Sequence, residues 1–146
     1  MQKKGFAVGG FVALHEIESD CYLIKNIKTN EKSLLMQRIA TFELRPNHFT
    51  FFPTGVEMGI NSIKEILNTP TDIAIIDEIG GYELRGELWS RSFTRLVNSS
   101  VPLLFTVKDR LIDKVIAKWR IEPSLIFTPA DFIDYNGAFE RMNKFF

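Results

Sequence analysis

The chain has 146 residues, which suits one domain that buries roughly 70% of the surface its unfolded chain exposes. Eighteen basic residues balance eighteen acidic ones, which removes the electrostatic attraction on which nucleic-acid binding and anionic-membrane binding rely. Apolar residues make up 45% and charged residues 25%, which excludes a disordered or fibrous chain. We expect a folded soluble protein with no nucleic-acid or membrane partner.

The single cysteine, Cys21, excludes an internal disulfide. It lies in an apolar stretch, so we expect its side chain to be buried. A chain without disulfides suits the cytoplasm, where we expect the protein. Lys3 and Lys4, followed by the apolar run from Gly5 to Leu14, imitate the start of a signal peptide. The run is too short to span a bilayer, which needs about 20 residues, and no small-residue cleavage site follows it. It predicts a buried strand instead.

The first half of the chain predicts a meander of short strands joined by polar turns. The predicted strands are Phe6 to Leu14, Cys21 to Lys28, Ser33 to Ala40 and His48 to Phe52. Apolar residues then recur at a four-three-four spacing from Val56 to Leu67. That spacing predicts an amphipathic helix ending near Asn68.

The second half alternates between strand and helix patterns, which predicts a parallel sheet. The predicted strands are Ile73 to Ile76, Val101 to Val107 and Ser124 to Phe127, and the predicted helices run from about Arg85 to Asn98, Asp109 to Trp119 and Pro129 to Met142. Asp109 and Thr128 stand where helix N-caps belong. Since no repeat or linker occurs, we expect residues 1–146 to form a single domain.

Two carboxylates follow the apolar run from Ile73 to Ile76, namely Asp77 and Glu78. Ligands of open α/β sheets bind at the carboxyl ends of strands, so both acids are candidates for a site. Adjacent strand residues point to opposite faces, which allows one acid to hold Mg²⁺ through water while the other orients a water molecule for attack on a phosphoryl group. The alternative is that the two acids solvate a loop or cap the next helix.

The segment from Asp77 to Glu83 reads DEIGGYE and resembles the Walker B segment of the THEP1-type nucleoside-triphosphatases. Tyr82 stands where that family usually has Met. The resemblance extends back to Gly9-Gly10-Phe11 and forward through Val101 to Val107. It implies an α/β P-loop NTPase-like fold, with a mainly parallel sheet flanked by helices and an N-terminal β-hairpin or meander. It also implies Mg²⁺-dependent hydrolysis of a nucleoside triphosphate such as ATP or GTP.

The resemblance has one gap, because members of that family open with a strand and a G-x-x-x-x-G-K-[ST] loop, and this chain contains no such motif. We therefore expect an incomplete domain that is inactive alone and needs the loop from a longer protein or a separate polypeptide. One edge of Val101 to Val107 should lack its partner. We expect it to pair with a strand of another molecule, through self-association or a partner chain, or with Ser124 to Phe127. The rival interpretation is a degenerate, non-catalytic protein-interaction module.

Within this family resemblance, Glu78 is the expected catalytic base and Asp77 the expected metal and cofactor ligand. Thr106, near the end of the neighbouring strand, is a candidate sensor of the γ-phosphate, although a plain strand residue explains it too. Arg38 and Arg45 are candidates for stabilising triphosphate charge, or are solvated surface residues.

Two further groups of side chains, the histidines and the aromatic residues near Phe51, are candidates for a site. His15 and His48 are isolated in the sequence and lack metal-ligand spacing, which argues against zinc. Phe49, Phe51 and Phe52 could stack on a base, yet alternate burial in a strand explains two of them without a ligand.

Overall fold

The computed structural model describes residues 5–38 and 49–144, which form one six-stranded sheet with helices packed on it. The strands are β1 (Val8–Glu16), β2 (Cys21–Asn26), β3 (Lys32–Arg38), β4 (Phe49–Phe51), β5 (Ile73–Ile79) and β6 (Leu103–Val107). The α-helices are α1 (Pro53–Asn68), α2 (Gly81–Leu84), α3 (Ser90–Val97), α4 (Ile112–Trp119) and α5 (Tyr135–Asn143). Short 3-10 helices span Asp109–Leu111 and Pro129–Ile133. None of the helices in these ranges is long and apolar enough to cross a membrane.

The strand order is β4-β3-β2-β1-β5-β6. Strands β1 to β4 pair antiparallel in chain order, whereas β5 pairs parallel with β1 on one side and with β6 on the other. The parallel pairing predicted for Ile73 to Ile76 with Val101 to Val107 is confirmed, and with it the α/β class. The predicted strand limits at Ala40 and His48 lie outside the described residues.

The main hydrophobic cluster lies between the strands and the helices α1, α3 and α4. Phe11, Ile76 and Phe105 are register partners on three neighbouring strands, so their side chains share one face of the sheet. Phe93 of α3 packs edge-on against Phe105 and against Trp119 of α4. Burial of these aromatic side chains provides a large part of the driving force for folding, because each removes about 150–250 Å² from water.

Gly10, in the Gly9-Gly10-Phe11 motif, allows β1 and β5 to lie side by side. Its φ of +116° is rarely adopted by residues with a side chain, and a Cβ atom there would lie 1.9 Å from the carbonyl oxygen of Ile75. The close approach of β1 and β5 therefore explains the glycine at position 10 without a ligand.

The predicted strand Ser124 to Phe127 is wrong, because this segment forms neither strand nor helix. Leu125 is 38% exposed and Ile126 is 54% exposed. A strand exists only through pairing with a neighbour, so β-propensity alone could not decide this segment. The segment also has not moved in beside β6, which forms the outer edge of the sheet within the described residues.

The helices of the second half are shorter than predicted. The helix predicted from Arg85 to Asn98 is divided, because Gly86 and Leu88 both have positive φ values and interrupt α2 and α3. Asp109 begins a 3-10 turn rather than capping a helix, since α4 starts three residues later without a side-chain cap. Thr128 forms a capping box with Asp131 as predicted, but it caps the 3-10 helix Pro129–Ile133. The helix predicted from Pro129 to Met142 is therefore divided between this 3-10 helix and α5.

Candidate functional site

A bulge in the parallel pair β5–β6 presents the two predicted acids. Ile76 lies opposite Phe105 and Ile79 lies opposite Val107, so β5 has one more residue than β6 over this stretch. The extra residue interrupts the regular ladder where Asp77 and Glu78 occur. The two acids therefore stand at the carboxyl end of β5, the edge at which open α/β sheets bind ligands.

The Asp77 carboxylate is held from both neighbouring strands. One oxygen, Oδ2, accepts a hydrogen bond from the backbone N–H of Ala13 on β1 at 3.0 Å. The other, Oδ1, accepts a hydrogen bond from the hydroxyl of Thr106 on β6. With one donor on each oxygen, the carboxylate is fixed in direction and still has lone pairs free for a further ligand.

The Glu78 carboxylate turns instead toward solvent and toward Lys108, the residue that follows β6. The Lys108 Nζ lies 3.2 Å from Oε1 of Glu78, and the Glu78 side chain is 42% exposed. Pairs at this exposure contribute at most about 1 kcal/mol to stability. The pair therefore matters for the charge of the site, where it sets a cation directly beside the candidate base.

The turn after Glu78 is closed by Glu83, whose carboxyl group is buried. The N–H of Gly80 donates to Oε2 of Glu83 at 2.8 Å, and the Leu84 N–H donates to the Gly80 carbonyl at 3.0 Å. Burial raises the pKa of the Glu83 carboxyl above its ordinary value, while the Gly80 hydrogen bond acts in the opposite direction. This turn fixes the path of the chain as it leaves the acidic strand end.

Tyr82 connects the same turn to the far strands. Its ring meets the ring of Phe51 on β4 edge-on, with centroids 4.6 Å apart, and the guanidinium carbon of Arg85 lies 4.6 Å from the centroid of the Tyr82 ring. The aromatic residues of β4 thus contact other side chains, with Phe49 edge-on to Tyr22 at 5.9 Å. These contacts account for the β4 aromatics by packing.

Arg38 lies apart from the acidic pair. Its Nε is 3.4 Å from Asp20 Oδ2 and its guanidinium carbon lies 5.2 Å from the ring centroid of Phe49. β3 is three strands from β5, which corresponds to about 14 Å across the sheet. The structure thus brings Asp77, Glu78 and Thr106 together and leaves Arg38 elsewhere.

Of the two histidines, His15 lies within the described residues. His15 pairs with Asp20 at 3.2 Å and stacks on Tyr22. Across residues 5–38 and 49–144, no group of three or more His, Cys, Asp or Glu side chains is placed to hold a metal ion. Arg45 and His48 lie outside the described residues.

Two groups at this site were not among the residues predicted from the sequence, namely the Ala13 N–H and Lys108. The Ala13 N–H is a backbone donor, which no side-chain pattern reveals. Lys108 is one of several lysines in the chain, and only the parallel pairing of β5 and β6 brings it to Glu78. Its position directly after a strand that neighbours the acidic strand was the signal that could have found it.

A sheet with the parallel order β1-β5-β6, an acidic carboxyl end and packed helices fits a P-loop NTPase-like α/β fold. Comparison with known families agrees: the family described as NTPase matches residues 1–128, and the chain belongs to this family, the THEP1-type nucleoside-triphosphatases. The nucleoside-triphosphatase THEP1 of Methanocaldococcus jannaschii is 27% identical over 119 residues, covering 78% of this chain and 68% of the relative. No solved structure matches the chain.

Proposed function

We propose that Asp77 and Glu78 form the acidic half of a site that hydrolyses a nucleoside triphosphate to the diphosphate and phosphate. Family membership supports nucleoside-triphosphate hydrolysis at the level of the family. The observation that carries the assignment to these residues is the position of Asp77, held between Ala13 of β1 and Thr106 of β6. A carboxylate fixed from two sides at the carboxyl end of a parallel sheet is preorganised for a ligand.

In this proposal Glu78 orients and deprotonates the attacking water. Its carboxylate is half-exposed, so water reaches it directly. Lys108, 3.2 Å away, balances the charge of Glu78 in the absence of nucleotide. A base of this kind typically contributes 10²–10⁴-fold to the rate.

Asp77 would hold Mg²⁺ through water, because Mg²⁺ keeps several waters and uses only one or two carboxylates together with the phosphate oxygens. The donor set fits this ion, since each Asp77 oxygen has one hydrogen-bond donor and lone pairs to spare. Bound Mg²⁺ would neutralise the charge that develops on the phosphoryl oxygens. Thr106 is then a positioning residue, because its hydroxyl hydrogen is directed at Asp77.

The other half of the site is the phosphate-binding loop, whose motif does not occur in this chain. Within the described residues, β6 has no strand on its outer side, and this open edge, with Thr106 near its carboxyl end, supports a further strand as the carrier of the loop. A longer form of the protein or a separate chain would provide the strand.

A non-catalytic interaction module is the second candidate, and the same open edge favours it. An unpaired strand edge presents free backbone N–H and C=O groups, to which another chain adds by β-augmentation. In that case the acidic pair would be a remnant and the edge of β6 would be the functional surface.

The two candidates are separated by phosphate release. We expect the 146-residue chain alone to show only trace Mg²⁺-dependent release, because the charge-stabilising cradle is missing. The loop-bearing form, meaning this chain extended at its N-terminus by a strand, a G-x-x-x-x-G-K-[ST] loop and a helix, should hydrolyse nucleotide. A loop-bearing form that binds nucleotide without turnover would favour the interaction module. Robust turnover by the chain alone, lost in Glu78→Gln, would overturn the need for the loop.

A further inference from the structure

Glu83 carries a buried carboxyl group beside the site, and the proposed hydrolysis assigns no role to it. The residue is only 2% exposed, and its Oε1 has no hydrogen-bond partner among the described residues. Glutamate is almost never fully buried unless it is paired, because removing a carboxylate from water is costly. The burial of this side chain therefore calls for a compensating role.

The contacts of Glu83 tie the turn together at both ends. Its Oε2 accepts the Gly80 N–H at 2.8 Å, and its backbone carbonyl accepts the hydroxyl of the buried Ser90, at the start of α3, at 2.9 Å. One residue thus links the exit of the acidic strand to the helix that packs into the core.

The turn contains two successive glycines, Gly80 and Gly81, shortly after the acidic pair, so it depends on contacts such as these to hold one conformation. Glycine has the largest conformational freedom in the unfolded or loosened chain. A Cβ atom built on Gly80 would lie 3.8 Å from Oε2 of Glu83 and 3.9 Å from Oε1 of Glu78. The two carboxylates therefore flank the same glycine, one buried and one half-exposed.

We propose that Glu83 is a positioning residue, which holds the Gly80–Gly81 turn and thereby keeps the Glu78 carboxylate at the carboxyl end of β5. The functional meaning of this contact rests on the proposed role of Glu78. The contact itself is independent of that role and can be measured in the 146-residue chain without nucleotide.

The exchange rate of the Gly80 amide hydrogen, measured by NMR, tests the hydrogen bond between Gly80 and Glu83 directly. In Glu83→Ala the Gly80 amide should exchange roughly 10-fold faster or more, since its hydrogen bond to the carboxylate is lost. In Glu83→Gln, which keeps the side-chain length and a carbonyl acceptor, the exchange rate should stay within about 3-fold of the parent. Glu87→Ala, which removes an exposed acid of the same loop that pairs with Arg85, is the matched control and should leave Gly80 unchanged.

The ¹³Cδ resonance of Glu78 tests whether Glu83 also determines the position of the Glu78 carboxylate. We expect it to shift in Glu83→Ala and to return to the parent position in Glu83→Gln. A merely structural role would lower overall stability in both variants without this pattern. A folded Glu83→Ala whose Gly80 amide stays protected, or whose Glu78 resonance is unmoved, overturns the proposal. If Glu83→Ala does not fold, loss of Gly80 protection in the folded Glu83→Gln would overturn it instead. If Glu78→Gln hydrolyses nucleotide like the parent, the proposed role of Glu78 as base fails, while both NMR outcomes still test the contact of Glu83 with the turn.

Discussion

The hydroxyl of Thr106 donates a hydrogen bond to the carboxylate of Asp77 across the parallel pair β5–β6. Two residues selected separately from the sequence are thus direct partners. The contact changes the role expected for Thr106, because a hydroxyl hydrogen committed to Asp77 does not point at a phosphate in this state. It makes Thr106 a residue that aims the proposed metal ligand.

Replacing Thr106 with Val should therefore weaken Mg²⁺ dependence rather than abolish activity. In the loop-bearing form we expect the Mg²⁺ concentration for half-maximal phosphate release to rise by about 10-fold, the lower end of the effects seen when a partner of a metal ligand is lost. Thr106→Ser keeps the hydroxyl and should restore the parent titration. An unchanged titration in Thr106→Val, together with an effect in Asp77→Asn, would confine the metal role to Asp77 alone.

Glu78→Gln should lower hydrolysis by roughly 10² or more in the loop-bearing form, because the amide cannot accept the proton of the attacking water. Nucleotide affinity, measured by equilibrium binding, should remain close to that of the parent. Glu57→Gln makes the same chemical change on an exposed position of α1 and should leave the rate unchanged. If Glu78→Gln hydrolyses nucleotide at the rate of the parent, Glu78 is not the catalytic base and only solvates the loop.

Burial of Glu83 predicts a pH dependence of stability. Because its folded-state pKa is raised above the ordinary value of 4.5, the folded state holds this proton more tightly than the unfolded state. The associated stability is fully present below the unfolded pKa and is lost as the pH rises through the raised folded pKa. In urea unfolding of the 146-residue chain, Glu83→Gln should therefore gain stability relative to the parent as the pH rises through that window.

The control for this titration is Glu87, an exposed acid whose pKa is lowered, first of all by its hydrogen bond from Arg85. Its stabilisation is present above the unfolded pKa and is lost as the pH falls, so the sign is opposite. Glu87→Gln should lose stability relative to the parent as the pH rises. If both variants change in the same direction with pH, burial of Glu83 is not the cause of its effect.

The sequence predicted the strand that ends in the two acids because an unbroken apolar run is typical of a buried parallel strand. It could not predict the partners of those carboxylates. The Ala13 N–H and Lys108 reach Asp77 and Glu78 only through the pairing order β1-β5-β6, which no local pattern encodes. The break at Leu88 was missed for a similar reason, since a leucine with φ of +50° is imposed by packing and not by propensity.

The segment Ser124 to Phe127 failed for the opposite reason, because its local pattern is that of a strand and the neighbour is missing. Parallel strands alternate the direction of their backbone groups, and the Ala74 N–H donates to the Pro102 carbonyl at 2.8 Å. Leu104, two residues further, therefore points its N–H toward β5. The N–H groups of Leu103 and Phe105 point outward, where the described residues offer no strand.

Hydrogen exchange along β6 should show this alternation. In the dilute 146-residue chain the Leu103 and Phe105 amides should exchange at least about 10-fold faster than the Leu104 amide, because only Leu104 is bonded to a neighbouring strand. In the loop-bearing form all three amides should be protected, since the added strand pairs with this edge. Leu104 serves as the internal control in both samples.

Protection of Leu103 and Phe105 that appears only at high protein concentration would identify a second copy of the chain as the partner of this edge. Protection already present in the dilute monomer would mean that β6 is covered by this chain itself, and the proposal that another strand completes the site would be wrong.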